Sequence, residues 1–400
     1  MTKSIAQRPN SQNLLTQLIT NNQLIHDVQS LDASILKRII HHIGLEDSGE
    51  LLMLVTSEQL QEVIDQDTWF SPGVGKDERF NATRFCQWLE ILLEVGSDFA
   101  AEKVSEMDED LLTLALANLI MAMDSDELAH LTRTAEDDRY SENKYLEKAL
   151  ESTFNTEVEG YLIMSKATFQ WDTVSSLLLS LQKDHRDLIE RILSRIRFIT
   201  LEQIDEHDGL YNLLKESQSL EEDVSSEREQ RKEQEGYVGP SSAAAFLKLI
   251  DQTSLEHLMS QEADPISTMY FRSFKPGRVR PFTPLSPELA KLLRTHGVKT
   301  EAPVLKIQSS KKLPSTMRSY LYELRENNTE LFKRKILELN FLANVLVSGY
   351  SPNQKQHLRP VEAMDLAMRV CDEGFGYVKD LPREDLVKAF KIGWKRRNHR

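Results

Sequence analysis

An all-α protein, a helical array of solenoid-like helix pairs with a proline-rich irregular connector and a C-terminal helical domain, is what this 400-residue sequence predicts. Three observations carry that expectation. Apolar residues recur at helical spacing through most of the chain. Capping residues recur at a regular interval, at Asp32, Ser57, Asn81 and Asp108, with spacings of 25, 24 and 27 residues. Only 15 Gly and 13 Pro leave little material for tight turns and hairpins.

The elements follow in order. Ile35, Ile39 and Ile43 stand four apart with Leu36 and Ile40 beside them, which makes one apolar helical face. His41 and His42 sit about 100° apart on that helix, so packing of the helix explains the pair better than a shared ligand does. Thr56 and Gln59 have the spacing of a capping box, and Leu60, Val63 and Ile64 supply the next stripe. Asn81, flanked by Phe80 and Phe85 as in a hydrophobic staple, opens a helix that Gly96 ends. Asp108 precedes Leu112, Ala115, Leu119 and Met123, and Asp124 with Glu127 marks a further box. No strand signal interrupts this loose repeat, in which each unit buries its face on its neighbours.

Leu177, Leu181, Leu188, Ile192 and Ile196 continue in helical style around the polar QKDHRD. SLEEDVSSEREQRKEQEG (219–236) is almost entirely polar and predicts a solvated helix end or a linker. Pro240 starts a helix carrying Phe246, Leu249 and Ile250. Between 265 and 314 prolines forbid continuous helix, so this stretch is expected to be extended or irregular. Phe332, Ile336, Leu339, Ala343 and Leu346 restore a helix, and Pro360 opens a last helical pair with Val361, Met364, Met368, Cys371 and Phe375 on one face. The expected organisation is an N-terminal arm (1–29), a helical-repeat domain (30–138), a continuing helical region ending in a charged linker (139–238), a helix start plus a basic irregular segment (239–315), and a C-terminal helical domain (316–400).

Charge is uneven. The formal net charge is -14, yet residues 269–335 hold 15 Lys/Arg against 5 Asp/Glu, and the closing KIGWKRRNHR adds five cations with no acid. The overall sign disfavours nucleic acid, and the asymmetry points to separate contact surfaces. Two cysteines, Cys86 and Cys371, fit no disulfide framework or metal spacing and suit a reducing cytoplasm. No signal-peptide core opens the chain, and the longest apolar stretch, LLTLALANLIMAM (111–123), is too short to span a bilayer, so no membrane insertion is expected.

SLDASIL, VTSEQLQ and EMDEDLL share an acidic or hydroxyl cap before a Leu-rich turn. In this the N-terminal part resembles the superhelical acidic domain of bacterial magnesium channels and, more loosely, the middle domain of flagellar motor switch proteins. Over the longer stretch 30–394 the chain is similar to the bacterial domain-of-unknown-function family 6178, through LLMLVTSEQLQEVIDQDTW, FCQWLEILLEVG, NFLANVLVSG and AFKIGW. That resemblance implies a helical bacterial cytoplasmic protein and no activity.

The chemistry-bearing motifs are weak. FSPGVGKDERF (70–80) looks like a phosphate loop, but Asp77 follows Lys76 where a hydroxyl is needed, and no strand precedes it. The ten histidines are scattered without HExxH, Asp184 and Asp187 of DHRD suit a solvated helix face, and no GxSxG or Cys–His pairing appears. The acidic caps could hold magnesium, yet capping alone accounts for them. No catalytic, cofactor-binding or metal residues are therefore assigned, and no cofactor is expected. The candidate binding surface is the basic, proline-rich stretch: Pro281, Pro284 and Pro287 recur every third residue, the period of polyproline II, behind Arg278 and Arg280. With Arg272, Lys275, Lys311 and Lys312 they form a stiff cationic ribbon suited to an acidic groove on a partner protein or on this chain's own acidic half. The sequence thus favours a non-enzymatic interaction or scaffold protein whose partner is another protein; the alternative is an enzyme or a ligand- or metal-sensing module with a site assembled between helical domains.

Overall fold

In a computed structural model the described residues are 8–124, 154–166, 170–205, 216–234, 236–260, 264–273, 285–298, 316–352, 358–378, 381 and 385–398. They form two compact units, each with its own hydrophobic core: 1–70, 80–224 and 282–300 make the first, and 71–79, 225–281 and 301–400 the second.

The first unit begins with α1 (Arg8–Thr20), α2 (Asn22–Gln29), α3 (Ala33–Ile43), the single turn α4 (Gly49–Leu52) and α5 (Ser57–Thr68). Asp32 caps α3 by accepting from Ser34 N at 2.8 Å, and the isoleucine face is buried as its periodicity requires. The cap of α5 is Thr56, one residue before Ser57, because Gln59 N donates to the Thr56 hydroxyl and the Gln59 side chain returns to Thr56 N. The Gln59 amide also donates to Val28 O and Leu31 O at 3.0 and 2.8 Å, which closes the exposed end of α2. A two-residue hairpin, β1 (Trp69–Phe70) with β2 (Arg79–Phe80), leads to α6 (Ala82–Val95), α7 (Ser97–Ser105) and α8 (Glu109–Leu119). Asn81 and Asp108 cap α6 and α8 as expected, Phe80 and Phe85 lie 5.9 Å apart as the staple, and Gly96 closes α6.

The expectation of helix without strands fails first at β1, which directly precedes the glycine-lysine loop, and again after Leu119. Ile120–Asp124 is a strand, β3, and with β4 (Asn155–Val158) and β5 (Tyr161–Ser165) it makes an antiparallel sheet in the order β3-β5-β4. Met123 and Asp124 are thus extended, and Glu127, Leu128 and Leu131 lie outside the described residues. The missed signal was Glu159-Gly160: with φ of 52° and 81° they form the two-residue turn that right-twisted strands require. The Glu159 carboxylate is nearly buried and accepts from Gln182 at 3.0 Å and Arg186 at 2.6 Å, which compensates its left-handed backbone. Ala122 N donates to the Thr200 hydroxyl at 3.1 Å, so the β3 edge is tied to a helix.

Next come α9 (Trp171–Asp184) and α10 (Arg186–Asp205), which break at His185; Asp184 and Asp187 therefore flank a break and do not share one helical face. α11 (Glu216–Gln234) is a helix despite its polarity, with Leu220, Val224 and Arg228 buried at four-residue spacing.

The second unit holds α12 (Pro240–Gln252), α13 (Leu255–Ser260), α14 (Pro265–Ser273), α16 (Thr316–Asn327), α17 (Thr329–Gly349), α18 (Pro360–Tyr377) and α19 (Leu386–Asn398), while α15 (Pro287–Thr295) belongs to the first. α14 and α15 correct the expectation of an irregular 265–314. Pro265 and Pro287 each stand at a first helical position, where the missing N–H is no loss, and Ser286 caps α15. Pro287 is therefore helical and takes no part in a polyproline II run, and Arg272 lies in the last turn of α14. Val361 is exposed in the first turn of α18, whereas Met364, Met368 and Cys371 are buried. Phe246, Phe341, Phe390 and Trp394 build an aromatic core, and Gly374 and Gly393 let α18 and α19 touch backbone to backbone.

Candidate functional site

The C-terminal end of α3 and the turn after it face α6 across a cleft of about 780 Å³ in the first unit. Helical spacing sets its walls: Lys37 and His41 are one turn apart on α3, and Arg84, Gln87, Trp88 and Ile91 share a face of α6. Asp67, near the end of α5, sits between them. Its Oδ2 accepts from Arg84 Nε at 2.7 Å and from Trp88 Nε1 at 3.0 Å, and Lys37 Nζ lies 3.6 Å from Oδ1 while donating to Gln66 O at 2.5 Å. Burial by itself would push the Asp67 carboxyl up, but the hydrogen bonds from Arg84 and Trp88 and the nearby cations hold it below the usual carboxylate range. It is a charged anchor already engaged by its donors, unsuited to take a proton.

His41, His42, Glu46, Asp47, Glu90 and Glu94 line the same cleft and are exposed. The apolar face of α3 is packing, as the periodicity indicates, but both imidazoles lie outside it and meet solvent. Among the described residues no group of three His, Cys, Asp or Glu is placed to hold a metal ion.

Neither cysteine is activated. Burial, reinforced by the charge of Glu90, pushes the Cys86 thiol up to about 11, and full burial with Asp372 and Glu338 nearby raises Cys371 well above its ordinary value. Buried charges in the second unit are paired: Lys391 Nζ meets Asp264 at 2.8 Å, with Ser267 N also donating to that carboxylate, and Lys335 meets Glu338 at 2.5 Å. A second, more open cleft of about 620 Å³ lies between α1, the start of α2 and α15, where Asn13, Gln17, Lys291 and His296 contribute.

Of the sequence-derived surface, Arg272 is exposed at the end of α14 and Pro287 is exposed at the start of α15. Lys275, Arg278, Arg280, Pro281, Pro284, Lys311 and Lys312 lie outside the described residues. The cleft residues Lys37, Asp67, Arg84 and Trp88 escaped sequence reasoning because their contacts join positions 17 to 30 apart, on separate helices. The one local hint was Arg84 and Trp88 at four-residue spacing. Among the described residues no helix is long and apolar enough to cross a membrane.

The model of a family of unknown function, DUF6178, matches residues 2–268, and the chain belongs to that family. LLMLVTSEQLQEVIDQDTW and FCQWLEILLEVG fall inside the match, whereas NFLANVLVSG and AFKIGW lie beyond it. No curated protein and no solved structure matches the chain, so the likeness of its caps to the magnesium-channel domain finds no support there.

Proposed function

We propose that this member of the DUF6178 family is a non-enzymatic interaction or scaffold protein, and that the cleft between α3 and α6 receives a segment of another protein. The observation that carries the reading is the chemistry of the cleft. Its rim carries the exposed carboxylates Glu46, Asp47, Glu90 and Glu94 around one carboxylate already engaged by Lys37, Arg84 and Trp88, and both thiols of the chain are held protonated. Solvated charges steer association and set register, whereas catalysis calls for groups whose proton affinities are moved toward neutrality. The basic stretch around Arg272, Lys275, Arg278, Arg280, Lys311 and Lys312 adds a second electrostatic surface, and the exposure of Arg272 supports that role.

A photo-crosslinking amino acid at Glu94 of the tagged full-length chain, irradiated in its own host, tests the cleft. The expected result is a discrete protein adduct that disappears when Glu46 and Glu90 are both replaced by Lys. A clean protein carrying only a metal or small molecule would overturn the reading and favour a sensor or enzyme. Reversing Arg278, Arg280, Lys311 and Lys312 should weaken partner capture in a salt-sensitive manner. Retention of every partner at low salt would remove that segment from the interface.

A further inference from the structure

The stretch that looks like a phosphate loop, Ser71–Arg79, belongs to the second unit, where hydrogen bonds and ion pairs anchor it. Ser71, Pro72, Lys76, Asp77 and Arg79 are exposed, and none of the nine residues is fully buried. Gly75 N donates to Ser348 O at 2.9 Å, and Asp77 Oδ1 accepts from Ser241 N in the first turn of α12 at 3.2 Å. Glu78 Oε2 accepts from Arg228 Nη1 and, at 2.8 Å, from Lys232 Nζ. Gly75 adopts a φ of 71° with Ala244 3.0 Å from where a Cβ would sit, so the close approach needs glycine.

The seat under Glu78 is built for an anion. The Arg228 side chain is only 6% exposed, and a guanidinium so far out of water requires a carboxylate or an equivalent partner. Lys232 Nζ lies 4.9 Å from the centre of the Tyr237 ring, which fixes it further. Against its burial, Arg228 and Lys232 hold the Glu78 carboxyl below its ordinary value, while burial together with Asp77 and Glu233 pushes the neighbouring Glu229 carboxyl up. The loop thus has no buried apolar side chain, and its one strong anchor is a carboxylate seated on two cations, a contact that another carboxylate can replace.

We infer that Ser71–Arg79 is a detachable strap: Glu78 occupies, in cis, a carboxylate seat formed by Arg228 and Lys232, and an acidic segment of a partner protein takes that seat when the strap lifts. Only the identity of the competitor rests on the interaction-protein reading. Detachment of the strap stands independently of it.

Hydrogen exchange on the full-length chain, read by mass spectrometry on peptides covering 70–80, 238–246 and the middle of α17, tests the strap. In Glu78→Gln the first two peptides should exchange at least about tenfold faster, the loss expected for one hydrogen bond between charged groups, while α17 stays protected. Hexaglutamate should bind this variant at least about tenfold more tightly than it binds the original chain, and adding Lys232→Gln should remove that gain. Unchanged exchange in 70–80 would overturn the strap, as would parallel loosening of α17 in both Glu78→Gln and the milder Asp77→Asn. Equal hexaglutamate binding by all variants would overturn the seat.

Discussion

Replacing Gly393 with alanine probes the tightest helix crossing in the C-terminal unit. A Cβ at this position would lie 2.0 Å from Val370 O and 3.0 Å from Gly374 N, and one at Gly374 would lie 1.9 Å from Ala389 O. The obstructing atoms are backbone, so no side chain can swing aside, and α18 and α19 must separate by about 1.4 Å to restore ordinary contact. Overpacking of this kind costs up to about 3 kcal/mol. Alanine in a helix recovers about 1 kcal/mol relative to glycine, which leaves a net loss of about 2 kcal/mol. Spread over a unit of this size, that lowers the unfolding midpoint by about 4–8 °C. Gly376 supplies the control, because nothing lies within 4 Å of its Cβ position, and Gly376→Ala should be neutral or slightly stabilising. The assay is thermal and urea unfolding of the two variants side by side. If Gly393→Ala proves as stable as the original chain, the backbone-to-backbone crossing is not the constraint described and the reasoning fails.

Three further expectations follow from buried and half-buried groups. The Asp67 carboxyl is held below its ordinary value, so its contribution is present above the unfolded-state pKa and is lost as pH falls through the lower folded value. Asp67→Asn should therefore cost about 1–3 kcal/mol at neutral pH and flatten the decline of stability in acid; an unchanged urea profile between pH 3 and 7 would contradict this. With its thiol pushed up to about 11 by burial and Glu90, Cys86 should resist a disulfide reagent at pH 8 in the folded chain and react promptly once urea unfolds it. Lys391→Met leaves Asp264 buried without its cation and should cost about 3–5 kcal/mol, whereas the double variant with Asp264→Leu should recover much of that loss in a denaturation cycle.

Local signals were legible wherever a helix start depends on its own residues. Asp32, Asn81 and Asp108 cap because their side-chain oxygens reach amides two or three residues ahead, and the isoleucines of α3 are buried because four-residue spacing puts them on one face. The same local reading found the Thr56–Gln59 capping box that forms at α5, but it also named Ser57, the first helical residue, as a cap, and it carried a helix through Ile120–Asp124. Apolar runs of this length suit helix or strand alike. The choice was made by pairing with Tyr161–Ser165 and by the Thr200 hydroxyl 78 positions away.

By itself, then, the sequence determined a mainly helical architecture, most of its caps and the buried face of helices such as α3, since these depend on neighbours within one or two turns. The buried stripe of the polar α11 escaped it. Tertiary structure alone decided the three-stranded sheet, whereas the helix starts at Pro265 and Pro287 rest on local features that the proline content masked. It also decided the gathering of Lys37, Asp67, Arg84 and Trp88 at one cleft, and the seating of Glu78 on Arg228, 150 residues further along the chain. The physical reason is range: a cap or an amphipathic stripe is a property of adjacent residues, whereas a charge cluster or a strand partner exists only after the chain has folded back on itself.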